Sequence, residues 1–231
     1  MQPMSLKTGL LVFTMLAIAS LTSGVLTACS SNDDQNQASN TTTTDISGQQ
    51  NIDLAHSSGM NHSIAMDLGA ADTSYDLRFI DAMILHHQGA VEMASSAQQK
   101  SQRPEIKQLA DNRSKPQNQE IAQMNQWRQA WYPQAGQLMA DNTSQDQMME
   151  MSSEQMQSMK MSKDLGTADA QFDLRFINAM IPHHQGAVTM AEDALSKSKR
   201  PEIKQLAQEI VKAQEGEIAQ MQQWRQAWYK K

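Results

Sequence analysis

One cysteine, 5% aromatic residues and no cluster of basic residues set the first limits on this 231-residue chain. A lone thiol closes no intramolecular disulfide and builds no cysteine-based zinc or iron–sulfur site. A net charge of −6 without a basic patch argues against nucleic acid, which is held through Lys and Arg on phosphate. No Walker loop, dinucleotide fingerprint or GxSxG elbow is present. One excess stands against these scarcities: 18 methionines.

Lys7 precedes an apolar stretch over residues 10–26, the pattern of a secretory signal. A membrane-spanning helix is the competing reading of that stretch. It ends in Leu26-Thr27-Ala28-Cys29, which resembles the lipobox of bacterial lipoproteins. That resemblance implies that residues 1–28 are a lipoprotein signal peptide and that Cys29 becomes the lipid anchor. Residues 29–55, rich in Asn, Gln, Ser, Thr and Asp, read as a flexible polar tether. The expected location is the periplasm. Ser30, rather than Asp, after the anchor favours the outer membrane, by resemblance to bacterial sorting rules.

Residues 56–231 carry a duplication at an offset of 97. DLRFIDAMILHHQGAVEMA at 76–94 matches DLRFINAMIPHHQGAVTMA at 173–191 at 16 of 19 positions, and 120–132 matches 217–229 at all but one. Apolar residues at 3,4 spacing make each copy a helical hairpin. Asp72 or Thr73 is expected to cap the first helix, and Pro104 and Pro201 to open the second and fourth. Two hairpins with faces that need mutual burial predict an all-α, antiparallel four-helix bundle. Up-down topology would place the lead-in and the connector, residues 133–165, at one end, together with Trp127, Trp131, Trp224 and Trp228. Pro116 predicts a helix bent or broken near residues 112–117, since a mid-helix proline costs about 3 kcal/mol. Pro182 should kink the third helix.

The adjacent pairs His86-His87 and His183-His184 occupy matching positions. Met83 and Met93 flank His86 on its helix, as Met180 and Met190 flank His183. Counting back from each turn sets Glu120 and Glu217 opposite the imidazoles, where they would orient the rings. The lead-in adds Met60, His62 and Met66. The connector, read as a loop, adds Met148, Met149, Met151, Met156, Met159 and Met161. Thioether sulfur and imidazole suit Cu(I), silver and, through nitrogen, Cu(II) rather than Mg²⁺ or Ca²⁺. A short amphipathic helix over Ser153–Met161 that uses methionine for packing, or contact with a partner protein, is the competing reading. An ordinary imidazole would release copper below about pH 6.

The paired motifs resemble the domain-of-unknown-function-305 family, secreted bacterial proteins of the ferritin-like superfamily. The resemblance implies a bundle that binds copper outside the cytoplasm and protects against its excess. It carries the family's paired histidines onto His86, His87, His183 and His184. The expected function is therefore non-enzymatic sequestration or transfer of copper, with a donor or acceptor protein as a further partner. A structural or partner-binding lipoprotein and a ferritin-like di-metal oxidase are the alternatives. The oxidase needs a Glu three residues before a ligand His. Met83, Ile84, Met180 and Ile181 stand there instead.

Overall fold

The structure is a computed structural model that describes residues 66–142 and 147–231. Cys29, the signal sequence, the tether, Met60 and His62 lie outside the described residues. Four long helices dominate: α1 (Tyr75–Lys100), α2 (Pro104–Trp131), α4 (Phe172–Lys197) and α5 (Pro201–Tyr229). Between the hairpins lie β1 (Met139–Asn142), β2 (Gln147–Glu150) and a short helix α3 (Ser153–Lys160). The expected bundle is present. The connector is not all loop: β1 and β2 pair antiparallel, and α3, opening on a capping box formed by Ser152 and Gln155, lies where a short amphipathic helix is the competing reading.

Neither Asp72 nor Thr73 caps α1. Ser74 holds that position without a side-chain cap, and Asp72 instead accepts from the Ser74 backbone (2.8 Å) and pairs with Arg78. Buried Arg78 also donates to the carbonyls of Leu68 and Ala70 (2.6 Å each). Arg175 repeats the arrangement on Leu165, Thr167 and Asp169. The duplication therefore reaches back into both lead-in segments, from Asp67-Leu68-Gly69 to Asp164-Leu165-Gly166.

The ends of the bundle correct the up-down topology. Arg200, which opens α5, stacks on Trp131 at the close of α2 (3.8 Å to the ring centroid). Arg103, which opens α2, stacks on Trp228 at the close of α5 (4.0 Å). Tyr75 donates to Asp193, joining the start of α1 to the end of α4 (2.8 Å). So α1 and α4 run antiparallel, the connector crosses the whole length of the bundle, and the tryptophan pairs cap opposite ends. One long crossover is the ferritin-like connection. Buried Asp81 pins its start, accepting from Arg128 (2.6 and 3.3 Å) and from the Met139 backbone (2.8 Å).

The prolines do not interrupt their helices: α2 runs through Pro116 and α4 through Pro182. Each helix is long and packed along one face, and that burial outweighs the local loss of one backbone hydrogen bond. Ser114 adds a hydrogen bond to the Ala110 carbonyl (2.7 Å) one turn before Pro116. The interior divides into two apolar clusters, one around Phe79, Met83 and Met190, the other around Phe176, Met93 and Met180. Among the described residues, no helix is long and apolar enough to cross a membrane.

Candidate metal centre

The four paired histidines meet at mid-bundle. Antiparallel α1 and α4 bring equivalent positions face to face, so the His86 and His183 rings lie 3.8 Å apart between centroids. None of the four rings exposes more than 1% of its surface. His87 Nε2 meets Glu120 Oε2 at 2.7 Å and His184 Nε2 meets Glu217 Oε2 at 2.7 Å. Both glutamates thus sit where the helix count put them. A carboxylate on Nε2 favours the tautomer protonated there and leaves Nδ1 as a lone pair. In both rings that Nδ1 is buried and makes no hydrogen bond.

His86 is the least satisfied ring. Neither of its nitrogens has a hydrogen-bond partner among the described residues, and the ring is fully buried. Orphaned polar atoms in a dry interior are costly. Burial holds the His86 imidazolium well below the usual histidine range, with further lowering from the His183, His87 and His184 rings. Burial likewise pushes His183 down to about 3 and lowers His184. The His86, His183 and His184 rings therefore stay neutral, as ligands must be, at pH values where an ordinary imidazole is charged.

Gly186 marks the point toward which the donors converge. A Cβ on this helical glycine would lie 3.1 Å from His86 Nε2, 3.2 Å from Met66 Sδ and 3.3 Å from Met161 Sδ. One imidazole nitrogen and two thioether sulfurs thus surround the space that the missing side chain leaves. First-row metal bonds to such donors run at about 2.0–2.3 Å, so an ion would sit further from the backbone than that Cβ position, among the three donor atoms. The donor chemistry fits a soft monovalent ion. All three ligands are neutral, so a +1 ion leaves less charge to desolvate than a +2 ion would.

The other candidate residues divide. Met83, Met93, Met180 and Met190 pack in the apolar clusters, with Met83 and Met190 on one side and Met93 and Met180 on the other. Met151 and Met159 are buried in the first cluster and Met156 packs against it. Met148 Sδ lies 3.5 Å from Arg78 Nη1, while Met149 is 51% exposed. The described connector methionines are therefore not one cluster. Gly186 and the Lys160 carbonyl, which His183 Nε2 meets at 3.2 Å, are site features that the sequence reading did not single out. The available signal was a glycine three residues after each first histidine, mid-helix and in both copies. A helix pays about 1 kcal/mol for it, which points to close approach.

The two halves are not equivalent. Arg113 of α2 forms an ion pair with Glu217, while Ile210 fills the corresponding position in the second copy. Arg113 and His184 also line, with Gln117, a cavity of about 10 Å³.

A four-helix bundle with duplicated, buried histidine pairs defines the class. The model of the family described as Domain of unknown function (DUF305) matches residues 76–225, and the chain belongs to that family. Among solved structures it is similar to CopM in its Cu(I)-bound form: 39% identity, TM-score 0.53, covering 67% of this chain and 97% of CopM. CopM in a silver-bound form gives 36% identity, with the same TM-score and coverage. A DUF305 fragment from Deinococcus radiodurans is 29% identical, with a TM-score of 0.52 and coverage of 67% and 96%. An uncharacterized protein of Acanthamoeba polyphaga mimivirus is 45% identical over 49 residues, 21% of this chain and about a third of that relative (32%).

Proposed function

We propose that this protein sequesters Cu(I) outside the cytoplasm, without catalytic turnover, and holds it between His86 Nε2, Met66 Sδ and Met161 Sδ. The observation that carries the reading is the convergence of those three atoms at Gly186. Structures of CopM, which this chain resembles, contain Cu(I), Cu(II) and silver. His183 is the fourth candidate ligand through Nδ1, since its Nε2 meets the Lys160 carbonyl; its ring already lies against that of His86. Glu120 and Glu217 orient the neighbouring imidazoles. A lipid on Cys29 would keep the bundle at the outer membrane, where copper is taken up before it reaches the cytoplasm and protection against copper excess follows. The bound ion would be released to an acceptor protein or held.

Anaerobic titration of the mature protein against a chromophoric Cu(I) chelator tests this reading. The expected result is at least one tightly held equivalent, absent in His86→Ala and in Met66→Leu/Met161→Leu. Equal retention by all three proteins refutes it.

A further inference from the structure

The repeat offset pairs two notches. Gly186 of α4 faces His86 Nε2, and Gly89 of α1 is its counterpart in the repeat. A symmetric bundle would build the same soft-ion site twice. At Gly89, however, the space is taken: a Cβ there would overlap the Lys160 carbonyl oxygen and lie 2.8 Å from its carbon. That same carbonyl lies 3.2 Å from His183 Nε2. The end of α3 thus fills the second notch with main chain and occupies the imidazole nitrogen that an ion would use.

The next residue does the opposite. Met161 adopts the left-handed conformation (φ 48°), uncommon for a residue with a side chain, and its sulfur reaches the Gly186 notch. Two consecutive residues therefore serve both notches: Lys160 seals one, and Met161 completes the other. Lys160 Nζ anchors the turn on α1 through Glu92 (2.9 Å).

We infer that the duplicated bundle holds one soft ion rather than two, and that Gly89 is a positioning residue for that ion's ligand Met161, although it belongs to the opposite notch. The seat at Gly89 sets where Lys160 lies, and Lys160 sets where Met161 lies. Displacing α3 would strip Met161 from the ion and free His183 in one movement, which gives an acceptor protein a route to a buried ion. The inference rests on the copper-site reading above.

The test is the set Gly89→Ala, Gly186→Ala and the double variant, each titrated anaerobically with Cu(I) against a chelator. Each single variant is expected to lose the same one tight equivalent, and the double variant to lose no more. Hydrogen exchange over residues 153–161 should rise in Gly89→Ala and stay at the wild-type rate in Gly186→Ala. If Gly89→Ala keeps the equivalent, or the double variant loses two, the inference is overturned and the copper site stands. If Gly186→Ala keeps every wild-type equivalent, the copper-site reading itself fails. Glu92→Arg, on the surface and clear of both notches, serves as a second route. It should speed Cu(I) loss to the chelator by roughly tenfold through the same turn, and an unchanged rate counts against the coupling.

Discussion

Gly186→Ala isolates binding from folding more cleanly than removing a ligand. Alanine is favoured over glycine in a helix interior by about 1 kcal/mol. The added methyl would sit 3.1–3.3 Å from three flexible donor ends, which can yield by a few tenths of an ångström. The metal-free variant should therefore be as stable as the wild type or up to about 1 kcal/mol more so. The ion fares differently, since it and the methyl compete for one volume. With free Cu(I) at 100 times its dissociation constant, the wild type gains about 2.7 kcal/mol. At roughly 2–4 °C per kcal/mol, that is an upward shift in Tm of about 5–10 °C for the first equivalent. Differential scanning fluorimetry under nitrogen, with and without one equivalent of Cu(I) or Ag(I), reads both quantities. A variant that keeps the full shift would refute the placement of the ion at Gly186. A variant destabilised by several kcal/mol without metal would refute the claim that the notch is roomy enough for a methyl.

The remaining predictions concern protons, charge and packing. The folded chain keeps His183 neutral down to about pH 3, and His86 is depressed in the same direction, whereas the unfolded chain protonates near 6.5. Between those values unfolding takes up protons, so this stability is complete above pH 6.5 and drains away as pH falls, by up to about 1.4 kcal/mol per unit for each ring. Urea midpoints that stay level from pH 6.5 to 5 would contradict it. Cu(I) binding, by contrast, should persist at pH 5, because the ligand nitrogens carry no proton to lose. A binding midpoint near pH 6 in chelator competition would reinstate ordinary imidazoles. Arg113→Ala leaves the Glu217 carboxylate largely buried beside His184 and should cost about 3 kcal/mol in denaturant unfolding. A loss under 1 kcal/mol would show that the pair is well solvated. Met159→Ala should cost about 2–3 kcal/mol through lost packing, while Met149→Ala should stay within about 0.5 kcal/mol. Equal costs would mean that the two methionines do the same work.

The fold was legible where one physical signal dominated. The 3,4 stripes, the short turns before Pro104 and Pro201, and the counting that set Glu120 and Glu217 against the histidines all depend on local period and length. Direction was not legible. Nothing in a hairpin's own pattern says whether its twin stands parallel or inverted, since that depends on contacts such as Arg200 with Trp131, more than sixty residues away. The break expected near Pro116 is absent because propensity is a local cost set against burial along a whole helix. At the site, residue types pointed to soft ligands, and Met66 and Met161 were among the candidates. What singles them out from sixteen other methionines in the proposed site is approach to Gly186, which only packing determines. Met83, Met93, Met180 and Met190 stand at matched spacings around the histidines, whereas Met66 and Met161 lie in the lead-in and the connector. Met66, Met83, Met161 and Met190 share one apolar cluster, so burial alone does not tell them apart.

The inverted hairpins have a consequence for how such a molecule can specialise. Two identical half-length chains docked about a dyad at His86 and His183 would be bound by symmetry: whatever plugged one recess would plug both, and whatever armed one would arm both. Fusing the halves through a single bridging segment lifts that constraint, because the bridge exists once and must pass one side only. The helix it carries can then close one recess and equip the other, a division of labour unavailable to the unfused pair.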